Sequence, residues 1–190
     1  MIVLITGGSR SGKSHLAQEL AGTRPGPHAF VATAEALDAE MRARIQAHQR
    51  SRPAGWALVE EPRRVPEAVA GALAAARTVI LDCVTLWVSN LLLADEGFDE
   101  RGAEAAAAGL VEVARAAPAA RLIVVTNEVG SGVVPDNALA RRFRDCAGRA
   151  NEVLARGADE VYLCVSGIPL RIKPTAGAAP RAAERNESHG

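Results

Sequence analysis

The chain has 190 residues, of which 48% are apolar and only 3% are aromatic. This length suits one domain whose core is filled mainly by Ala, Val and Leu. The 22 basic and 22 acidic residues balance, so the charge gives no indication of binding to nucleic acid or to an anionic membrane surface.

The apolar runs and the cysteines indicate in which cellular compartment the protein is expected. No apolar run approaches the ~18 residues of a transmembrane helix, and no signal-peptide pattern precedes the first strand. Cys83, Cys146 and Cys164 are far apart, and we interpret them as buried residues in a reducing compartment. We therefore expect a cytoplasmic protein without a transmembrane segment.

The chain opens with a strand pattern, Ile2-Val3-Leu4-Ile5, followed by a glycine-rich turn. The turn, Gly7-Gly8-Ser9-Arg10-Ser11-Gly12-Lys13-Ser14, fits G-x-x-x-x-G-K-[ST], and a helical pattern follows it. Such a loop cradles phosphates with its backbone N–H groups at a helix N-terminus. We expect Lys13 to reach the β- and γ-phosphates of a nucleotide and Ser14 to bind Mg²⁺.

The remaining elements alternate along the chain. Periodicity predicts helices at 13–21, 35–50, 65–76, 84–94 and 102–116, and a last helix from an Asp136 N-cap to about Ala155, with Gly157 as C-cap and Leu139 on its apolar face. Strands are predicted at 29–32, 56–61, 78–82, 121–126, 160–165 and 170–173. Thr33 is the expected N-cap of the helix at 35–50.

This alternation predicts an α/β fold, a mostly parallel P-loop NTPase-like (RecA-like) sheet flanked by helices. The last two strands, joined by Ser166-Gly167-Ile168-Pro169, form a hairpin that adds one antiparallel edge strand. We predict a single nucleotide-binding domain at 1–173 and a C-terminal tail at 174–190 without a core of its own.

Polar residues end several strands, where ligands of parallel sheets bind. Asp82 follows Val-Ile-Leu, as expected for the acidic partner of a phosphate-binding loop, and would hold Mg²⁺ beside Ser14. The alternative for Asp82 is an N-cap of the next helix. Asn127 and Glu128 follow another strand, and either a substrate or water contact or a simple polar turn explains them.

His48 closes an otherwise apolar stripe on the helix predicted at 35–50. Alone, this pattern is typical of a hydrogen-bonded histidine in a core or interface. However, Gln49-Arg50-Ser51-Arg52 follows it, and two guanidinium groups are suited to holding phosphates. An imidazole is mostly neutral near pH 7 and can attack phosphorus without a separate base.

Several segments together resemble a known family. They are the loop at 7–14, Val31-Ala32-Thr33-Ala34, Arg44-Ile45-Gln46-Ala47-His48-Gln49-Arg50-Ser51-Arg52-Pro53, Val125-Thr126-Asn127-Glu128-Val129-Gly130 and Ser166-Gly167-Ile168-Pro169. In this order they resemble the bifunctional adenosylcobinamide kinase/adenosylcobinamide-phosphate guanylyltransferase of cobalamin biosynthesis. The similarity spans residues 2 to about 173.

The resemblance implies two reactions with GTP and ATP as substrates. A triphosphate phosphorylates the aminopropanol hydroxyl of adenosylcobinamide, and GMP then passes from GTP through a histidine to adenosylcobinamide phosphate. The resemblance places the guanylylated histidine at His48 and implies a homotrimer. It places nucleotide contacts at Gly7, Gly8, Ser9, Arg10, Ser11, Gly12, Lys13, Ser14, Ala32, Thr33, Ala34, Gln49, Arg50, Ser51, Arg52, Glu60 and Asp82.

Two other functions fit parts of the sequence. One is a P-loop small-molecule kinase without nucleotidyl transfer, in which His48 is structural. The other is a RecA-like ATPase in which Asn127 and Glu128 sense the γ-phosphate. The lack of a basic patch and of an evident arginine finger argues against the ATPase.

Overall fold

The structure is a computed structural model that describes residues 1–35 and 55–174. The helix predicted at 35–50, with His48 and the following 49–52 segment, lies outside the described residues, as does the tail beyond Pro174. The described strands are β1 Ile2–Gly7, β2 His28–Ala32, β3 Ala57–Glu60, β4 Thr78–Asp82, β5 Arg121–Val125, β6 Glu160–Val165 and β7 Ile168–Lys173. The described helices are α1 Lys13–Gly22, α2 Val65–Ala75, α3 Val84–Ala94, α4 Glu100–Ala116 and α5 Ala138–Gly157.

One seven-stranded sheet organises these elements in the order β3-β2-β4-β5-β1-β6-β7. Every neighbouring pair is parallel except β6 and β7, which pair antiparallel at one edge. The predicted α/β fold with an antiparallel edge strand is therefore confirmed. The order also places β5 between β1, which leads into the glycine-rich loop, and β4, which ends at Asp82.

The central strands are apolar on both faces because helices cover both sides of the sheet. In β1, Ile2 and Leu4 join a large core against α2, α3, α4 and α5, whereas Val3 and Ile5 join a second core that includes Ala17 of α1. All four strand residues are at most 4% exposed. The continuous apolar run in the sequence thus reflects two cores rather than one.

Two helices begin at positions other than those predicted. α4 begins at Glu100 rather than at Gly102, and Asp99 is its N-cap, whose side chain accepts a hydrogen bond from the Gly102 N–H at 2.9 Å. Asn137, not Asp136, caps α5 and accepts from the Ala140 N–H at 2.7 Å. In each case a short polar side chain satisfies an otherwise unpaired N–H in the first turn, and this contact sets the start of the helix.

The apolar face of α5 is shorter than predicted, and its C-terminus is shifted. Leu139 is 51% exposed, whereas Ala147, Ala150 and Leu154 are buried. Gly157 is the last helical residue, and Ala158 takes the C-cap position. This face packs against the core from Phe143 onward.

The hairpin turn is tighter than predicted. Ser166 and Gly167 alone form it, with φ values of 50° and 86°, and Ile168 and Pro169 already belong to β7. Positive φ at both central residues is typical of the two-residue turns whose twist matches a β-hairpin. No helix within residues 1–35 and 55–174 combines the length and apolarity needed to cross a membrane.

Candidate nucleotide-binding site

The glycine-rich loop lies between β1 and α1, at the carboxyl edge of the parallel strands. α1 begins at Lys13, with Gly12 at its N-cap in the left-handed region at φ 94°. The loop therefore lies at the N-terminus of a ten-residue helix, where unpaired N–H groups and the helix dipole favour an anion. The strand, loop and helix predicted from the sequence are all confirmed.

The hairpin at the sheet edge packs against this loop. A Cβ at Gly7, where φ is 148°, would lie 2.3 Å from the Cys164 carbonyl oxygen of β6. A Cβ at Gly12 would lie 3.2 Å from the Gly167 Cα, and the Gly167 N–H donates to the Ser11 carbonyl at 3.0 Å. Positions 7 and 12 therefore require glycine, both because other backbone atoms approach closely and because φ is positive.

The side chain of Lys13 is buried against the glycine-rich loop, and only 7% of the residue's surface is exposed. Its Nζ donates to the Gly8 carbonyl at 2.5 Å and lies 3.4 Å from the Ser11 Oγ. Burial lowers the pKa of Lys13, and the nearby negative charge of Asp82 partly opposes this shift. A triphosphate would offer this amine stronger, charged acceptors than the carbonyl it now contacts.

Ser14 and Asp82 meet across the site. The Ser14 Oγ donates to the Asp82 Oδ2 at 2.7 Å, although the residues are 68 positions apart. The N-cap of α3 is Cys83, without a side-chain cap bond, so the alternative of Asp82 as the cap is wrong. A hydroxyl and a carboxylate oxygen are ligands that Mg²⁺ accepts, so the chemistry of this pair fits the ion.

Asn127 is part of a polar network at the end of β5. Its backbone N–H donates to the Thr85 Oγ1 at 2.8 Å, and its side-chain amide lies 3.2 Å from the same oxygen. Asn151 of α5 accepts from the Thr126 hydroxyl at 2.7 Å and donates to the Asn127 carbonyl at 3.1 Å. This end of β5 is therefore held by two helices, α3 and α5.

Glu128 contacts the strand that leads into the glycine-rich loop. Its backbone N–H donates to the Gly7 carbonyl at 3.2 Å, and its Oε1 accepts from the Thr6 hydroxyl at 2.6 Å. Thr6 is buried, whereas Glu128 is exposed. These hydrogen bonds give Glu128 a structural contact with β1, and the substrate or water contact stays a prediction.

Lys13, Ser14, Asp82, Asn127 and Glu128 line one cavity of about 740 Å³. Among the predicted nucleotide contacts, those that line it are Ser9, Arg10, Ser11, Gly12, Lys13, Ser14, Ala32, Ala34, Glu60 and Asp82. Thr33 is fully buried instead, and its Oγ1 donates to the Cys83 carbonyl at 2.7 Å and accepts from the Cys83 N–H at 2.9 Å. The predicted contacts at 48–52 lie outside the described residues.

Apolar residues that the sequence analysis did not select also line the cavity. They are Phe30, Leu86 and Val125, and Cys83 lines it as well. Burial and the neighbouring Asp82 raise the pKa of Cys83 to about 12, so its thiol stays protonated. Phe30 stands two positions before Ala32 on β2, and this alternation is the signal that would have placed both side chains on one face.

Comparison with known proteins decides the family. The family model described as "CobU: Cobinamide kinase / cobinamide phosphate guanyltransferase" matches residues 3–172. The chain belongs to this family. The CobU family match covers β1 through β7 almost completely, and it includes every residue described above as lining the cavity.

Individual relatives support the membership in the CobU family. The chain is 44% identical to the bifunctional adenosylcobalamin biosynthesis protein CobU of Salmonella typhimurium, over 91% of this chain and 100% of that protein. It is 42% identical to the Escherichia coli protein of the same name, with the same coverage of 91% and 100%.

A solved ATPase from a bacterial type III secretion system is similar at 15% identity and a TM-score of 0.49, covering 85% of this chain and 50% of that one.

Proposed function

We propose that this chain is a bifunctional transferase of cobalamin biosynthesis. It transfers the γ-phosphoryl group of a nucleoside triphosphate to the aminopropanol hydroxyl of adenosylcobinamide, and it then transfers GMP from GTP to adenosylcobinamide phosphate. The observation that carries the proposal is the family match over residues 3–172 on a chain that keeps the glycine-rich loop, Lys13, Ser14 and Asp82 in one cavity. Residues 1–173 act as one catalytic domain in this proposal.

The kinase step uses the loop as its phosphate site. Backbone N–H groups at the start of α1 and the Lys13 amine hold the triphosphate, and GTP or ATP serves as donor. Ser14 and Asp82 would hold Mg²⁺, and the ion would supply positive charge to the phosphates. The cobinamide hydroxyl attacks the γ-phosphorus, the bond to the β–γ bridging oxygen breaks, and the nucleoside diphosphate leaves.

The guanylyl transfer uses His48 as nucleophile. A ring nitrogen attacks the α-phosphorus of GTP, pyrophosphate leaves, and a phosphoramidate joins GMP to the histidine. A phosphate oxygen of adenosylcobinamide phosphate then attacks the same phosphorus and releases the histidine, giving adenosylcobinamide-GDP. Gln49, Arg50, Ser51 and Arg52 bind nucleotide phosphates in this scheme, with Glu60 and residues 32–34 as further nucleotide contacts.

A homotrimer in the cytoplasm completes the proposal. Val165, Ile168, Leu170 and Ile172 are each 47–64% exposed on the β6–β7 hairpin at the sheet edge. Apolar side chains clustered at an exposed edge favour association with another subunit. Pro169 cannot donate a backbone hydrogen bond, so contact through side chains is favoured over extension of the sheet.

Covalent labelling with α-labelled GTP and Mg²⁺ tests the second reaction. Wild type should retain label after denaturation, and the phosphoramidate should be acid-labile and fairly stable in alkali. His48→Ala should abolish the label and the nucleotidyl transfer but leave phosphorylation of adenosylcobinamide within about threefold of wild type.

His15→Ala is the matched control, because this histidine lies in α1 beside the loop and lines the same cavity. It should label normally if the intermediate is specific to His48. Unlabelled wild type, or a normally labelled His48→Ala protein, would show that the covalent mechanism is wrong. Sedimentation or scattering measurements of mass test the trimer separately.

A further inference from the structure

We propose that Glu128 is the general base of the kinase step, which accepts the proton of the cobinamide hydroxyl as that oxygen attacks the γ-phosphorus. The inference rests on the proposed function. It concerns a residue that the structure, rather than the P-loop pattern, brings to the phosphate site.

Glu128 is fixed beside the loop by both its backbone and its side chain. Its N–H donates to the Gly7 carbonyl at 3.2 Å, and Gly7 is the first residue of the phosphate-binding pattern. Its Oε1 accepts from the Thr6 hydroxyl at 2.6 Å, and Thr6 is only 6% exposed. The carboxylate is therefore positioned from β1, the strand that also fixes the start of the loop.

The carboxylate remains open to the cavity. Glu128 lines the cavity together with Lys13 and Ser14 and is exposed. Thr6 is the one side chain in residues 1–35 and 55–174 that donates a hydrogen bond to it, and no Lys or Arg of these residues forms an ion pair with it. A carboxylate without an ion-pair partner in this described part of the chain disfavours triphosphate binding, so its position in this cavity points to a chemical role.

The other carboxylates of the cavity are placed less suitably for this role. Asp82 accepts from Ser14 at 2.7 Å and is the expected magnesium partner, so Mg²⁺ would hold its oxygens. Glu60 ends β3, which lies at the far edge of the sheet, whereas β5 lies directly beside β1. Among the described acidic residues of the cavity, Glu128 is thus the one that follows β5, the strand adjacent to the one that leads into the loop.

The proton and electron balance of the step is simple. The lone pair of the cobinamide oxygen forms the new bond to the γ-phosphorus while its proton passes to a Glu128 oxygen. The bond from the γ-phosphorus to the β–γ bridging oxygen breaks, and its electron pair stays with the leaving diphosphate. The protonated Glu128 then loses its proton to solvent, which regenerates the carboxylate.

Glu128→Gln separates this role from a structural one. Glutamine keeps an oxygen that accepts from Thr6 but cannot take a proton from a hydroxyl. We expect kcat for phosphorylation of adenosylcobinamide to fall by about 10²–10⁴-fold, with the KM for the triphosphate within about threefold of wild type. Covalent labelling by α-labelled GTP should be retained, since attack by a neutral imidazole needs no separate base.

Two further variants complete the design. Glu112→Gln makes the same chemical change on an exposed position of α4 and should leave both reactions at wild-type rates. Thr6→Val keeps the base but removes its positioning bond, so kcat for phosphorylation should fall by about tenfold while label formation continues. Melting temperatures of all three variants should confirm that each is folded.

The possible results of these experiments distinguish the role of Glu128 from the proposed guanylyl transfer. Phosphorylation by Glu128→Gln within threefold of wild type would overturn the inference. Equal loss of phosphorylation and labelling would also overturn it, because Glu128 would then serve the shared triphosphate or its metal. A wild type that phosphorylates but takes no label would refute only the proposed guanylyl transfer, and the kinase comparison would still decide the role of Glu128.

Discussion

Substituting alanine for Gly7 should be among the most destabilising single changes in the loop. The new Cβ would lie 2.3 Å from the Cys164 carbonyl oxygen and 2.8 Å from the Ser11 Oγ, whereas ordinary contact begins near 3.4 Å. The backbone of β1 or β6 must therefore move by about 1 Å, and these strands are paired at this position. The φ of 148° adds strain for any side chain.

The expected magnitude follows from these two effects. Overpacking against a backbone atom and an unfavourable φ each cost about 1–3 kcal/mol, so Gly7→Ala should lower the free energy of unfolding by about 2–6 kcal/mol. For a chain of this size the melting temperature should fall by about 5–20 °C. Nucleotide protection against thermal unfolding should weaken as well, because the same shift moves the first N–H groups of the loop.

Gly8→Ala is the matched control for this prediction. A Cβ at Gly8 meets no atom within 4 Å, so its melting temperature should stay within about 2 °C of wild type. Differential scanning calorimetry of the nucleotide-free proteins, followed by urea titration, measures both variants. Equal stability of the two variants would refute the close approach of β6 to the loop.

Three further predictions follow from the described contacts. Asn137→Ala should lower the free energy of unfolding by about 0.5–2 kcal/mol in urea titrations, whereas Asp136→Ala should change it by less than about 0.5 kcal/mol, because Asn137 caps α5. Burial and Asp82 raise the pKa of Cys83 to about 12. Iodoacetamide at pH 8 should therefore leave this thiol unmodified in the native protein but alkylate it in urea, as measured by mass spectrometry. Rapid alkylation of the native protein would contradict the burial of Cys83. Burial lowers the pKa of Lys13 in the folded protein. At pH values below this lowered pKa, the buried protonated amine therefore reduces the free energy of unfolding. This destabilisation diminishes as the pH rises through the lowered pKa. Lys13→Met should therefore raise the melting temperature of the nucleotide-free protein at pH 7 but reduce phosphoryl transfer by about 10²-fold or more, and a lower melting temperature would contradict the burial argument.

Local patterns in the sequence were sufficient for the elements and for the loop. The glycine-rich loop was predicted because positive φ and phosphate binding depend on neighbouring residues. The buried strands were predicted because side chains of 2–5, 79–81 and 122–125 are apolar without interruption. Asp82 could be paired with Ser14 because the loop and its acidic partner occur together in P-loop proteins, and the 2.7 Å contact agrees with that pairing.

Cap and turn positions were less predictable because several adjacent residues have similar propensities. Asp136 and Asn137 are both good N-caps, and only the structure shows that the Asn137 side chain takes the hydrogen bond from the Ala140 N–H. Likewise, Ser166-Gly167-Ile168-Pro169 allows a turn of two or of four residues. Pairing of Val165 with Ile168 selects the shorter one.

The sequence by itself determined that a nucleotide site lies between β1 and α1, because that information is contained in thirteen consecutive residues, 2–14. Only the tertiary structure decided which groups surround it. The contacts of Thr6 with Glu128, of Thr33 with Cys83 and of Gly7 with Cys164 join residues that lie 50 to 157 positions apart. Apolar periodicity shows which side chains are buried but not which strand lies beside which, and the order β4-β5-β1-β6 is what brings these groups to the loop.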